Sequence, residues 1–332
     1  MDVDAFVAAH HAEWLRLESL INRGRKLTGA EIDELVELYQ RTATHLSAVR
    51  SSSPDPMLVG RLSSLVARGR AAVTGAQAPL WRDLARFITV SFPATAYRAR
   101  HWWLATAAIS IVTGTVVAIW VARNPEVQAS IATPYQIRQL VEHEFENYYT
   151  EHAAGAFAFQ VWVNNAWVSA QALIFGILLG IPTLILLFTT SVNQLGFVGG
   201  LMFAAGKGDV FLGLILPHGL LELTAVYLAC ATGLRLGWTV IDPGPRRRGQ
   251  ALAEEGRAAM SIAVGLIAVL LISGAIEGFV TGHVHTTWLR IGIGVVAEAA
   301  FLTYVIVLGR KAVKAGETGD ALLRPDLAPT TG

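Results

Sequence analysis

The chain has 332 residues, of which 53% are hydrophobic and 15% are charged, and its mean hydropathy is +0.47. This composition is too apolar for an ordinary soluble domain. A net charge of +1 gives no reason to expect nucleic-acid binding, and the single cysteine, Cys230, excludes an internal disulfide framework and a Cys-based metal site. Apolar residues dominate 102–309, whereas 1–100 are polar and Arg-rich. We therefore predict an all-α protein, in which an N-terminal helical region precedes a polytopic transmembrane helical bundle.

Residues 1–100 are predicted to form a cytoplasmic region of amphipathic helices, because their apolar side chains recur at helical spacing. Thr28 can cap the second of these helices. The last helix leads directly into the membrane, so it is either an interfacial helix in the headgroup layer or a solvated helix that packs on its neighbours. The helical segments are 3–49 with a break at 24–29, 57–73, and 80–91, which ends at Pro93.

Runs of about 20 apolar residues predict the membrane-spanning helices. The first run has Trp at both ends, which is typical of the two membrane interfaces. The run at 195–206 is short and Gly-rich, and by length it is either a thin crossing or a re-entrant half-helix. The predicted segments are 102–121, 167–189, 195–206, 211–238, 260–280 and 288–308.

The distribution of charge predicts the orientation of these segments. Arg residues before the first span, the Arg cluster at 246–248 and basic residues after 309 indicate cytoplasmic ends. The loop 123–155 is rich in Glu and is predicted to be extracytoplasmic, so 195–206 must count as a crossing. The prediction is six segments in a bacterial inner membrane with both termini in the cytoplasm. The predicted domains of the chain are the cytoplasmic helical region 1–100, a transmembrane domain 101–310 and a flexible cytoplasmic tail 311–332.

Four ionisable side chains lie inside predicted spans, where an unpaired charge costs roughly 3 kcal/mol. His218 and Glu222 are one helical turn apart, so the imidazole can donate to the carboxylate. Pro217 is predicted to kink this helix, next to Gly219, and to free a carbonyl one turn earlier. The four ionisable residues of this predicted cluster are His218, Glu222, Glu277 and Glu298.

Three interpretations of the cluster stay open. The first is a buried hydrogen-bond network that fixes helix register. The second is a site within the bundle for a proton, an ion or a substrate. The third is a metal site built on His-x-x-x-Glu spacing. The chain has neither a His-Glu-x-x-His pattern nor a Gly-x-Ser-x-Gly elbow, so a hydrolase site is disfavoured. The sequence therefore assigns no catalytic residue, metal or cofactor, and we expect the protein not to be an enzyme.

A second polar group, Asn164 and Asn165, lies near the outer end of the second predicted span. We expect these amides to cap or cross-link helices, and the alternative is that they line a vestibule. Glycine pairs at four-residue spacing let helix backbones approach closely, either within one protomer or across the homodimer that we predict. The pairs are Gly176 and Gly180, Gly196 and Gly200, Gly233 and Gly237, and Gly274 and Gly278.

A family resemblance rests on six motifs in order: VNNAW, GILLGIP, SVNQLGFVGG, PHGLLE, ACATGLRLG and SGAIEGFVTG. Their succession resembles the stage II sporulation protein M family of bacterial integral membrane proteins. The N-terminal FVAAHHAEWLRLESL looks like the version found in actinobacteria, and the resemblance covers roughly residues 4–310. The family pattern, to which no catalytic role is attached, carries over to Asn165, Pro217, His218, Gly219, Glu222 and Glu277.

The resemblance implies a non-enzymatic scaffold or assembly factor in cell-envelope or peptidoglycan remodelling. In endospore formers the namesake is a membrane anchor for the peptidoglycan-degrading stage II sporulation proteins D and P, which would make the loop 123–155 a contact surface. The expected partners are the lipid bilayer, a second copy of the chain, extracytoplasmic peptidoglycan-remodelling proteins and a MoxR-type ATPase system. The alternative function is a transporter or channel for a small solute, ion or lipid that uses the intramembrane His/Glu cluster.

Overall fold

The structure, a computed structural model, describes residues 3–23, 27–52, 56–73, 80–149 and 153–319. Every regular element within these ranges is helical, as predicted. The chain divides into two compact units, Met1–Asp83 and Leu84–Gly332. The division therefore comes before the boundary that we predicted at residue 100, because Phe92 and Ala96 are already buried in the core of the second unit.

The first unit is a bundle of three helices, α1 (Val3–Arg23), α2 (Gly29–Ser52) and α3 (Pro56–Val73). Helix α2 begins directly after Thr28, whose backbone N–H donates to the Glu31 carboxylate at 2.8 Å. This hydrogen bond, with further ones from Arg23 and the Thr28 hydroxyl, lowers the pKa of Glu31 to about 2. The helices bury the side chains that the periodicity places on one face, including Trp14, Leu17, Leu20, Leu35, Leu46 and Leu62.

The second unit contains five helices that are long and apolar enough to span a membrane, so the protein is a multi-pass membrane protein. Another helix, Ala154–Ile174, packs among them, and its Gln and Asn side chains lower its hydropathy. The helices of this unit are α4 (Leu80–Arg86), α5 (Phe92–Arg98), α6 (Arg100–Arg123), α7 (Pro125–Ile131), α8 (Pro134–Gln139), α9 (Ala154–Ile174), α10 (Ile181–Ala204), α11 (Gly208–Ile241), α12 (Arg248–Thr281) and α13 (Thr287–Lys314).

The boundaries predicted for the second and third spans, 167–189 and 195–206, are wrong. Helix α9 ends at Ile174, the chain reverses over the next six residues, and α10 forms one full crossing from Ile181 to Ala204. The reversal is possible because Gly180 adopts a left-handed backbone conformation with φ 74°, and Pro182 lies in the first turn of α10. The sequence analysis missed this turn because its residues are apolar. Its Leu and Ile side chains are exposed, like the outward-facing Leu and Ile side chains of the membrane-spanning helices.

The predicted glycine pairs bring helix backbones together inside one chain. A methyl group on Gly176 would overlap the backbone of Gly233, and one on Gly237 would lie 2.6 Å from the carbonyl carbon of Leu179. These contacts hold the turn between α9 and α10 directly against α11, and they leave the predicted homodimer without support from the glycines. The remaining pairs also pack within the chain, Gly196 and Gly200 against α6 and Gly274 and Gly278 against α9.

The residues just after 310 are not the flexible tail that the sequence predicts. Helix α13 continues to Lys314, and the Glu317 carboxylate then pairs with the Arg86 guanidinium at 2.8 Å. The Thr95 hydroxyl lies 3.2 Å from the carbonyl oxygen of Gly319, so this segment packs on α5. Two parts of the predicted elements lie outside the described residues, 24–26 in the break between α1 and α2 and 320–332 in the tail.

The contact between Gly176 and Gly233 predicts the effect of a single methyl group. Gly176→Ala should destabilise the membrane unit by about 3 kcal/mol, the upper end for overpacking, because the clash is with backbone that no rotamer change relieves. Thermal unfolding in detergent measures the loss. Gly292→Ala is the control, since nothing lies within 4 Å of the added methyl on α13, and equal stability of the two variants would contradict the prediction.

Candidate functional site

A cavity of about 580 Å³ lies between α9, α10 and α11, beneath the loop that joins α6 to α9. Helices α9 and α10 meet at their shared turn but then pack on different neighbours. Gly274 of α12 contacts Trp162 of α9, whereas Gly196 of α10 contacts Val117 of α6. The two helices therefore diverge toward the loop, and α11 forms the back wall of the space between them.

The loop between α6 and α9 folds back over the bundle and lines one end of the cavity. The Phe145 ring stacks on Phe211 of α11 at a centroid distance of 5.6 Å, and the Tyr149 ring lies 5.8 Å from the imidazole of His218. The Lys207 ammonium donates to the backbone carbonyl of Val141 at 3.2 Å and fixes the loop at a second point. Burial raises the pKa of Tyr149 well above 10, so its phenol stays neutral.

The structure brings three of the four predicted ionisable residues together at the back wall of this cavity. Ligand atoms of His218, Glu222 and Glu277 all lie within 4.8 Å of one another. His218 and Glu277 are each only 4% exposed. The imidazole Nε2 faces Glu277, with 3.8 Å between Nε2 and Oε2, and not Glu222 as the one-turn spacing suggested. We call these three residues the cavity triad.

The Thr281 hydroxyl is the hydrogen-bond partner of one ring nitrogen of the histidine. It lies 3.2 Å from Nδ1 of His218 and 3.4 Å from the carbonyl of Ile276. In the tautomer that carries its proton on Nδ1, Nδ1–H donates to this hydroxyl, and the lone pair on Nε2 points toward Glu277. The Asn165 side chain hydrogen-bonds Glu222, whose Oε2 is buried and has no hydrogen-bond partner among the described residues.

The other predicted site residues take different places. Glu298 is separate from the triad: it accepts a hydrogen bond from the Thr224 hydroxyl at 2.9 Å and lines another, mostly apolar cavity of about 710 Å³. Asn164 and Asn165 both line the first cavity, as in the vestibule alternative, and Asn165 also links α9 to α11 through its hydrogen bond to Glu222, as in the expected cross-link.

Pro217 lies within α11, which continues as one helix from Gly208 to Ile241. Its carbonyl contacts Gly294 of α13, where a methyl group would clash. Gly219, two residues after Pro217, lines the cavity without a side chain of its own.

Two features of the site escaped the sequence analysis. Arg290 donates to the carbonyl of Thr281 at 3.4 Å and fills the space beside Gly213, but it lies at the end of a predicted span, where basic residues are ordinary. Three π-helical turns border the cavity, and such turns are frequent at functional sites. Local periodicity does not reveal these turns, which are Leu140–Glu144, Ser191–Val198 and Glu277–Thr281.

The charge of the cavity favours cations. Its lining includes Glu144 in addition to the triad, and none of the described lining residues is Lys or Arg. Low-dielectric walls with carboxyl groups of one sign attract positive ligands. The remaining polar groups of the lining are amides and phenols, contributed by Gln160, Asn164, Asn165, Gln194, Tyr148 and Tyr149.

A second group of possible metal ligands, His10, Glu13 and His45, lies in the first unit. The Trp14 indole donates to Nδ1 of His45 at 3.2 Å, which leaves the proton of the neutral imidazole on Nε2. Neither nitrogen of His45 then offers a free lone pair. Burial, followed by the neighbouring His10, lowers the pKa of His45, in keeping with a neutral ring packed against His10 at a centroid distance of 4.0 Å. This group is therefore explained by packing.

Comparison with known families supports the resemblance seen in the sequence. The family model described as stage II sporulation protein M matches residues 107–282, which is more than half of the chain, and the chain belongs to this family. A domain of unknown function, DUF8413, matches residues 4–75, the part of the chain that forms the three-helix unit. No curated protein and no solved structure matches the chain.

The cavity predicts a difference in thiol reactivity. Asn164→Cys should react with a membrane-impermeant maleimide applied from the outside of intact cells, because Asn164 is an exposed residue of the cavity lining. The native Cys230 is 0% exposed and serves as the internal control. Mass spectrometry of the labelled peptides separates the two thiols. Labelling of the new thiol at the rate of Cys230 would contradict an accessible cavity, and labelling only in inside-out vesicles would contradict the predicted orientation.

Proposed function

We propose that this protein is a non-enzymatic scaffold or assembly factor of the bacterial inner membrane that acts in cell-envelope or peptidoglycan remodelling. The observation that carries the proposal is the folded loop between α6 and α9, which is anchored on the bundle through Phe145 and Lys207. An anchored loop presents a fixed surface to a partner. Membership of the stage II sporulation protein M family supports the same role, since the resemblance implies a membrane anchor for extracytoplasmic proteins.

The outer side of the loop has the chemistry of a docking surface. Glu126 and Glu142 are exposed, and Tyr135 is 64% exposed. Thr133 and Gln136 form a reciprocal capping box at the start of α8, which holds this surface in place. A preordered surface loses little conformational entropy on binding. We assign this surface to extracytoplasmic peptidoglycan-remodelling proteins, and a MoxR-type ATPase system and a second copy of the chain complete the proposed assembly.

The stretch of α11 beyond the cavity is tightly packed, which favours a scaffold over a channel. Ala229, Cys230 and Ala231 of α11 are fully buried. One turn further on, the guanidinium of Arg235 pairs with the Glu255 carboxylate at 2.8 Å. Along α11 this packing separates the cavity from the other end of the bundle.

A second candidate function, a transporter or channel for a small solute, ion or lipid, rests on the cavity itself. Ionisable side chains in membrane segments are costly and commonly mark ion or proton pathways. The triad faces a polar cavity, so its chemistry suits such a pathway. Transport would require the close contacts around Gly233 and Gly237 to open, because they seal the turn between α9 and α10.

The scaffold proposal is tested by site-specific photo-crosslinking in cells. A photoreactive residue at Tyr135 should cross-link to extracytoplasmic envelope proteins, which mass spectrometry identifies. The same residue at Phe188 is the control, because Phe188 is 58% exposed on α10 within the membrane and should yield lipid adducts instead. Identical cross-linked proteins from both positions, or cross-links at Tyr135 to cytoplasmic proteins alone, would contradict the proposal.

The two candidate functions differ in proteoliposomes. A scaffold should give no ion or solute flux above that of protein-free liposomes, whereas a transporter should give a pH-dependent flux that Glu222→Gln abolishes. Glu298→Gln is the matched control, since Glu298 is also a carboxyl in the membrane but lines the other cavity. If flux is lost in Glu222→Gln and kept in Glu298→Gln, the transporter function replaces the scaffold function.

A further inference from the structure

We propose that His218, Glu222 and Glu277 bind one divalent transition-metal ion in the cavity. The ion tested is Zn²⁺. This inference goes beyond the proposed scaffold function and does not depend on it. It rests on four observations, which are the convergence of the ligand atoms, the orientation of the imidazole Nε2 toward Glu277, the hydrogen-bond partners of the ligands and the acidic character of the cavity lining.

The three side chains are already arranged as a coordination shell. Their ligand atoms lie within 4.8 Å of one another, and Nε2 of His218 is 3.8 Å from Oε2 of Glu277. Ligands on a tetrahedral zinc ion at about 2.0–2.2 Å from the metal lie roughly 3.4 Å from one another. Small rotations of the two carboxyl groups therefore bring the triad from its present spacing to that of a bound ion.

The hydrogen bonds of the triad are those of a metal-ligating histidine. The Thr281 hydroxyl contacts Nδ1 of His218 and orients the ring so that Nε2 faces Glu277, and in the tautomer with its proton on Nδ1 the lone pair of Nε2 is directed at that carboxyl group. Metal-bound histidines commonly have such a partner on the second ring nitrogen. Asn165 holds the Glu222 carboxyl in the same way, while the buried Oε2 of Glu222 has no hydrogen-bond partner in the described part of the chain. That oxygen is free for a metal ion.

The charges identify the class of ion. Once metal binding has released their protons, the two carboxyl groups and a neutral imidazole neutralise a divalent cation in a lining whose described residues include no Lys or Arg. Arg290 lies behind Thr281, on the carbonyl of that residue, and is not part of the lining. An imidazole ligand favours zinc and its neighbours over Mg²⁺ or Ca²⁺, which prefer oxygen ligands. The cavity leaves room for a water molecule or a partner's ligand at the remaining position.

Metal binding would join two helices at the wall of the cavity. His218 and Glu222 belong to α11, whereas Glu277 opens the last, π-helical turn of α12. A bound ion therefore fixes α12 to α11 beside Tyr149, whose ring contacts the imidazole. The site would set the position of the loop without being exposed on its surface.

Zinc binding to the full-length protein in nanodiscs tests the proposal. After removal of metal with a chelator, isothermal titration with ZnCl₂ should show one zinc ion per chain, and zinc should raise the unfolding temperature. His218→Gln and Glu277→Gln should each weaken binding by about 100-fold, and Thr281→Val, which removes an outer partner, by about 10-fold. Cobalt in place of zinc gives an absorption spectrum that changes in His218→Gln if the imidazole is a ligand.

Two controls make the result specific. Glu298→Gln removes a carboxyl outside the cavity triad, and His45→Gln removes the possible ligand of the first unit, so both should bind zinc as the wild type does. If Glu277→Gln fails to fold, Glu222→Gln is measured in its place. The proposal is overturned if the wild type shows no saturable zinc binding, if Glu277→Gln or its replacement Glu222→Gln binds as tightly as the wild type, or if binding is lost in His45→Gln. Cross-linking at Tyr135 is independent of these outcomes, so either proposal can fail alone.

Discussion

The architecture of the membrane unit depends on the direct backbone contact between the turn at 175–180 and α11. Gly176 and Gly180 face Gly233 and Gly237, and no side chain fits between them. This contact holds α9 and α10 together at one end only. Because each helix then packs on a different neighbour, the space between them widens with distance from the turn and becomes the cavity. Close packing at one end of the bundle thus creates the open volume at the other.

The same arrangement explains how α11 carries a histidine and a glutamate through the membrane. A charged side chain in hydrocarbon is unfavourable unless it reaches a partner or a polar cavity. His218 and Glu222 lie on the part of α11 that faces the widened space, whereas the part that faces the glycine contact carries small residues such as Ala229 and Ala231. The change along one helix from polar to small side chains follows the change in its surroundings from cavity to close packing.

Much of this fold could be predicted from local patterns. Hydrophobic length identified the first span and the last three, because each of these helices contains a long, mostly apolar run and ends near charged residues. The motif PHGLLE indicated a polar site, and the structure adds Glu277 of α12 to it. The turn at 175–180 was missed because a sharp reversal inside a membrane is built from the same Leu, Ile and Gly residues as a helix there.

The composition of the site was harder to predict, since it depends on which faces of different helices meet. Spacing along α11 suggested that His218 pairs with Glu222, but the imidazole turns toward Glu277 and Thr281, which no single-helix pattern can show. In the sequence, Glu298 was as good a candidate for the site as Glu277, because both are carboxyl groups inside predicted spans. It is excluded because it lines another cavity, where one of its oxygens accepts a hydrogen bond from the Thr224 hydroxyl.

The contact between the loop and the triad links the two proposals physically. Tyr149 is buried against the imidazole of His218, and Phe145 of the same loop stacks on α11 one to two turns away. A ligand that changes the positions of His218 and Glu277 must therefore change the packing of the loop, because closely packed groups cannot move independently. By thermodynamic reciprocity, a partner that binds the outer surface of the loop alters the affinity of the cavity for its ligand by the same factor. An envelope scaffold with this structure has the means to sense the contents of its own cavity.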